Sequence, residues 1–395
     1  MSAVVIGSDA EALEAARRLV PVLAAGASQR DAERELPWTE LEAASASGLL
    51  AITVPAEYGG AEVSAETLAE VIRLLAIGDP NVAQIPQSHF AYVNVLKRQG
   101  SAELRKLVFT DLLAGRRLGN AQSEAKTRHL QDIRTRLVRE PGGGFRLDGE
   151  KQYSTGALFA DWIPVLARGE DDKLNVAFVA ADSAGVQVID DWNGVGQRTT
   201  ASGTVKLTGV LVPDSHVAPH HLTFEGPQLH GAYAQLIHAA IDAGIAAGAL
   251  AEAAEFVRTK TRPWFESGLE SAAEEPLLIQ RFGELDLQRR SAEALLVAAA
   301  RAIDAAQRAE LTDESVAAAS LAVAAAKVAT GRAAVEISSA IFEVGGTRSA
   351  LAPLNLDRHW RNARTHTLHD PERWKLQHLG RHALNGTLPP RHGVI

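Results

Sequence analysis

The chain contains no cysteine. Disulfides, thiolate metal sites and cysteine nucleophiles are therefore excluded. It has a single methionine. So few oxidisable side chains would suit a protein exposed to peroxide, although a bias towards alanine and arginine accounts for the same count. No basic run occurs, and the net charge is -8, so the concentrated positive footprint that nucleic acid requires is missing. Residues 1–9 have neither a basic n-region nor a long apolar core, so no secretory leader is expected. Charged residues interrupt the alanine-rich stretches, which argues against a membrane span. A cytoplasmic enzyme or binding protein is the expectation.

A length of 395 residues allows two or three domains. Residues 9–26 show helical spacing at Leu13, Ala16, Val20 and Leu23, with a kink or break expected at Pro21. Helices are expected at 38–47, from the N-cap Ser64 to Gly78, at 81–99 with an irregularity at Pro86, and at 102–114. After Gly115 the pattern shortens. Residues 145–151, 162–167, 176–180, 186–189 and 203–208 read as strands between tight turns. From His230 the chain returns to helix, at 230–258, 275–309 and 313–344, with Gly345-Gly346 ending the last. Small-residue helices of this length pack side by side as a four-helix bundle, and their alanine faces suggest an oligomer. The expected division is a helical domain at 1–117, a β domain at 118–222 and a helical bundle with tail at 223–395.

Residues 357–371 hold three arginines, three histidines and two aspartates. A helix ending near Leu368, before Pro371, would place Arg361, Arg364 and Thr365 on one face. It would bring His366 and His369 together if it lasted that far. Two imidazoles beside a carboxylate can move protons near neutral pH; a solvated helix end is the bland alternative. Four other stretches stand out. Gln87-Ser88-His89-Phe90 sits in an apolar helix, where a lone histidine is more often a satisfied core residue. Gly119-Asn120-Ala121-Gln122-Ser123-Glu124 marks the helix-to-sheet junction. In the run from Lys151 to Trp162, a strand enters the turn Ser154-Thr155-Gly156. In the run from Asp191 to Gly203, Trp192 offers a flat face and Gly194 and Gly196 permit close backbone approach.

Lys151-Gln152-Tyr153-Ser154-Thr155-Gly156 with Ala160-Asp161-Trp162, and Gly196-Gln197-Arg198 with Ser202-Gly203-Thr204 and Val210-Leu211-Val212-Pro213, resemble signatures of the acyl-CoA dehydrogenase superfamily. Arg262 and Gly345-Gly346 resemble its phosphate-side and cofactor-side motifs. The resemblance spans nearly the whole chain. It implies an α+β, multi-domain fold with an N-terminal helical domain, a central β-barrel-like domain and a C-terminal four-helix bundle. Where the dehydrogenases carry a catalytic Glu, this chain reads Leu368-His369-Asp370-Pro371. That departure, with His89 and Ser154, resembles instead the reduced-flavin, two-component monooxygenase branch that includes dibenzothiophene and dimethylsulfone-related sulfur-acquisition enzymes.

The branch implies a separate NAD(P)H-dependent reductase that supplies reduced FMN, a C4a-hydroperoxyflavin formed with O2, and oxygenation of a small organosulfur compound. By the same resemblance, the catalytic candidates are His89, Ser154, His366 and His369. Asn120, Gln122, Ser123, Ser154, Thr155, Trp192 and His369 would contact the flavin. Arg262 and Arg348 would hold its phosphate, with Gly345 and Gly346 also on the cofactor side; in this family such arginines can come from a neighbouring subunit, which fits a homotetramer. No metal is expected, because the arginines around His366, His369 and Asp370 disfavour a cation. Two other readings remain open. One is an FAD-dependent acyl-CoA dehydrogenase using Asp370, Glu252 or Glu255 as base; the other is a non-catalytic flavin carrier.

Overall fold

The computed structural model describes residues 3–395. Seven helices come first: α1 (Asp9–Ala24), α2 (Ala27–Glu33), α3 (Trp38–Ala46), α4 (Ala65–Gly78), α5 (Pro80–Gln84), α6 (Gln87–Gln99) and α7 (Ala102–Leu113). Serine caps set three of the starts. Ser8, Ser64 and Ser101 accept from the backbone N–H of Glu11, Thr67 and Leu104, satisfying donors that the first turn leaves free. Pro21 does not break α1, which runs on to Ala24. Pro86 does divide α5 from α6.

Seven strands follow: β1 (Arg136–Arg139), β2 (Phe145–Lys151), β3 (Trp162–Arg168), β4 (Leu174–Ala180), β5 (Val186–Ile189), β6 (Thr204–Val212) and β7 (Val217–Ala218). They form one sheet in the order β5-β6-β2-β1-β3-β4-β7. Every pairing is antiparallel except β1 with β3. Tertiary pairing defines the short strands β1 and β7, whose sequences carry little alternation of their own.

The C-terminal helices are α8 (His230–Lys260), α9 (Pro276–Gln307), α10 (Asp313–Gly345), α11 (Asp357–His366) and α12 (Glu372–Asn385). Helices α8, α9 and α10 pack along one another, and α4 packs on α8. Two of them correct the expectation of no membrane-length run: α8 and α10 are long and apolar enough to cross a bilayer. They are instead core helices, with 78% and 67% of their most apolar windows buried inside the protein. A helix apolar all round needs such burial.

Candidate functional site

Three segments converge where the sheet meets the bundle. The first is the turn after β2. Ser154 N–H bonds Gly203 O at 3.0 Å, and Thr155 Oγ1 meets Ser202 Oγ at 2.7 Å. Gly156 has φ 80, and a Cβ there would press on Ile85 O, so only glycine fits against the start of α6. Beneath the turn, Lys151 Nζ is buried and binds Glu124 at 2.8 Å and Gln122 O at 3.1 Å. Burial pulls the Lys151 ammonium down to about 8, against the pull of Glu124.

The second segment is the loop from Asp191 to Gly203. Gly196 lies so close to α11 that an added Cβ would overlap the carbonyl of Arg361. Gly196 N–H donates to Thr365 Oγ1 at 3.0 Å and Gln197 N–H to Asn362 Oδ1 at 2.7 Å. Trp192 Nε1 bonds Gln197 O at 2.7 Å, and its ring meets Tyr153 edge-on at 6.1 Å. Tyr153, Gln197 and Ala201 all have positive φ, at 61, 51 and 46. Left-handed residues other than glycine cost roughly 1 kcal/mol each and gather at functional sites.

The third segment is α11 and the turn after it. The helix stops at His366, so His366 and His369 do not share its face. His366 is buried, and its Nδ1 lies 2.6 Å from Asp242 Oδ1 of α8. Lys327 Nζ of α10 reaches the other oxygen at 2.7 Å. His366 Nε2 lies 3.1 Å from His238 Nδ1. His238 lies against His369 with ring centroids 3.8 Å apart and planes tilted by 36°. His369 is 43% exposed and pairs with Asp370 at 3.4 Å, and Asp370 pairs with Lys375 at 2.5 Å. Burial lowers the basicity of His366, although Asp242 opposes it. Burial opposes ionisation of Asp242 too, but Lys327 and His366 outweigh it and hold the carboxyl below its ordinary value.

Asp242, His238 and Lys327 escaped the sequence reading. Their signal was polar residues inside apolar helices: Gln235, His238 and Asp242 follow one another at helical spacing on α8.

His89 departs from expectation. Its Nε2 bonds Leu50 O at 2.6 Å and its Nδ1 accepts from Leu118 N–H at 3.0 Å. Burial takes it down to about 4. Both ring nitrogens serve the backbone, so His89 joins the helical layer to the sheet and has no nitrogen free for a proton transfer at the site. The side chain of Gln122 is exposed, and Ser123 takes part through its carbonyl, which accepts from Gln152 N–H at 3.0 Å. Arg262 and Arg348 are exposed at the far ends of α8 and α10, beside Gly345 and Gly346. Thr261 Oγ1 bonds Gly345 O there at 3.4 Å. At a rise of ~1.5 Å per residue, this end lies about 30 Å along α8 from Asp242. The arginines and the histidine cluster are therefore not brought together within one chain.

Three family models match the chain in order. The acyl-CoA dehydrogenase N-terminal domain matches residues 10–116, the middle domain 121–210 and the C-terminal domain 236–371. The chain belongs to the acyl-CoA dehydrogenase family. Dibenzothiophene monooxygenase of Rhodococcus erythropolis is 34% identical over 397 residues, covering 97% of this chain and 95% of its own. A Pseudomonas putida protein described as a probable FMNH2-dependent monooxygenase, SfnC, is 32% identical with 96% of each chain covered. The crystal structure of FMN-bound TdsC from Paenibacillus sp. A11-2 has a TM-score of 0.92 at 30% identity, covering 97% of this chain and 100% of that one.

The acyl-CoA dehydrogenase-family site in this chain fits a flavin. Ser154 Oγ, Asn120 Oδ1, Thr199 Oγ1, Arg198 Nε and both amide atoms of Gln197 are buried without a hydrogen-bond partner. Buried polar groups are otherwise nearly always paired. These donors and acceptors, on the turn after β2, on the 191–203 loop and at Asn120 before the sheet, are of the types that pair with the N–H, C=O and ring-nitrogen edge of an isoalloxazine. Gln197 was not foreseen as part of it.

Proposed function

We propose that this chain is a reduced-FMN-dependent monooxygenase that transfers one oxygen atom from O2 to the sulfur of a small organosulfur compound. The observation that carries the reading is the set of unpartnered buried atoms around Ser154 and Gln197 beside the histidine cluster, in a chain that matches flavin monooxygenases end to end. FMN, reduced by a separate NAD(P)H-dependent reductase, would supply the activation of O2 and the oxygen transfer.

The chain's own residues would bind, shield and proton-balance that cofactor. Ser154 Oγ would hold the proton at the flavin N5, with Thr155 fixed behind it by Ser202. Asn120 and Gln197 would take the polar edge of the ring, and Trp192 would flank it. His369, half-exposed, would exchange a proton with the reacting oxygen, with His238 and His366 behind it. Arg262 and Arg348 would grip the phosphate of a flavin bound in a neighbouring subunit, because their own histidine cluster lies too far away. Leu277, Ile279, Leu287 and Leu295 along α9 are exposed, which supports burial of that helix in a tetramer. The cytoplasm is the location this reading implies.

The dehydrogenase alternative lacks a base. Burial opposes ionisation of Glu252, but His359 and Arg358 overcome it and hold its carboxyl at about 2. Asp370 is tied to His369 and Lys375, and Glu255 is paired with Arg258. Glu252 and Asp370, both held below the ordinary carboxylate range, accept protons poorly at neutral pH.

The test supplies the purified protein with FMN, NAD(P)H, a flavin reductase, dibenzothiophene or a dialkyl sulfide, and 18O2. One labelled oxygen atom in a sulfoxide is expected. Reoxidation of bound flavin with no labelled product from any organosulfur compound would overturn the reading.

A further inference from the structure

The buried cluster behind His369 has a direction. A carboxylate accepts hydrogen bonds and cannot donate them, so His366 carries its proton on Nδ1, facing Asp242. A neutral His366 then has a lone pair on Nε2. His238 Nδ1, 3.1 Å away, must be the donor to it. The two bonds fix both tautomers and leave His238 Nε2 as the one uncommitted basic nitrogen of the pair. A proton arriving at that atom need not stay there. The Nδ1 proton of His238 can pass to His366 Nε2, and the positive charge comes to rest against Asp242. His238 lies against the half-exposed ring of His369, so the path begins beside a ring that solvent reaches.

Charges from every neighbouring element bear on it. Asp242 comes from α8, Lys327 from α10, His366 from α11, His369 and Asp370 from the turn after α11, and Lys375 from α12. Lys327 already neutralises Asp242. The Asp242 carboxylate therefore attracts an added proton less strongly than it would alone, and burial works in the same direction. Both rings stay neutral at rest: burial first, then the neighbouring rings and lysines, keep His238 well below an ordinary histidine.

We propose that Asp242, His366 and His238 form a proton relay behind His369, with His238 Nε2 as its mouth and Lys327 as the residue that keeps it discharged at rest. The proposal rests on the flavin reading for what lies beyond the mouth. Asp242 and Lys327 are positioning residues in it.

The first test needs no flavin. Exchange of the imidazole C2–H for deuterium, followed by mass spectrometry across pH, reports the titration of each histidine in the intact protein. His238 and His366 share one mobile proton, so they are expected to titrate with a common midpoint below that of an unperturbed imidazole, about 6.5. Lys327→Met should raise that midpoint by about one unit for both rings together. Separate midpoints in the wild-type protein, or a shift confined to one ring, would overturn the relay. The wild-type comparison stands even where a variant does not fold.

The second test uses the loaded enzyme. An amide at position 242 can donate to His366 Nδ1 and reverse the tautomers, so Asp242→Asn should lower sulfoxide formed per reduced FMN at least 5-fold. Hydrogen peroxide should rise to match, with FMN affinity within twofold of wild type. Unchanged coupling in folded Asp242→Asn would also overturn the proposal. A wild-type protein that binds FMN but oxygenates nothing would sink the functional reading and leave the exchange result standing.

Discussion

His366 Nδ1 and Asp242 Oδ1 lie 2.6 Å apart although 124 residues separate them in the chain. The bond joins α11 to α8 in a fully buried setting. His369, one turn further on, is half-exposed. The two histidines should therefore respond differently to removal. His366→Ala opens a buried cavity and strips a partner from Asp242, which should cost roughly 2–4 kcal/mol of stability. His369→Ala should cost no more than about 0.5 kcal/mol. Both should lower product per reduced FMN by at least ~10-fold, less than the ~100-fold at the modest end of proton-transfer catalysis. Chemical denaturation and product-to-peroxide ratios measure the two effects separately.

Ser154 Oγ has no partner within the protein although the residue is only 1% exposed. Ser154→Ala should leave thermal stability unchanged or slightly higher, because it removes an unsatisfied buried group. FMN affinity should fall by about 5–10-fold, the worth of one hydrogen bond of ~1–1.5 kcal/mol. Fluorescence titration with oxidised FMN reads this without turnover.

Arg262 and Arg348 are exposed and lie far from the histidine cluster of their own chain. Arg262→Ala and Arg348→Ala should each change stability by less than about 0.5 kcal/mol. FMN affinity should fall ~10-fold or more, while riboflavin affinity stays as it was. Light scattering should show the same assembly state as wild type, so that loss of the proposed phosphate contact is not mistaken for dissociation.

Acid should unfold this protein more readily than its carboxylates alone would suggest. Burial holds His89 and His220 near 4 and His230 near 3, whereas the unfolded chain titrates near 6.5. Between those values the unfolded state binds more protons, so stability is full above 6.5 and is lost as pH falls towards 4. Each such group contributes on the order of 3 kcal/mol across that window. Melting temperatures at pH 7, 6, 5 and 4 should drop steeply, and less steeply in His89→Gln.

Local chemistry made much of the architecture legible. Ser64 and Gly345-Gly346 mark helix ends in the sequence, and they mark them in the structure. Pro21 misled because its neighbours on α1 pack firmly enough to carry the helix past it. Helix α2 was hidden because its ends are set by Gly26 and Arg34 in left-handed conformation, not by a side-chain cap. Strand β1 exists only through its partners. The segments around the site were visible because turns and glycines mark them, whereas the support behind them was not. His238, Asp242 and Lys327 lie within apolar helices, and only the fold reveals that three such residues meet. His89 failed for the converse reason: its surroundings, Leu50 O and Leu118 N, belong to distant segments.

Gly196 leaves no gap between its loop and the backbone of α11. The loop therefore takes its rigidity from the helix, and Trp192 and Gln197 are held as firmly as the histidine at that helix's end. A single methyl group at this position would pry the two apart. It would blur the alignment between the surface proposed to grip the cofactor and the groups proposed to trade protons with it, without altering a side chain assigned to either job.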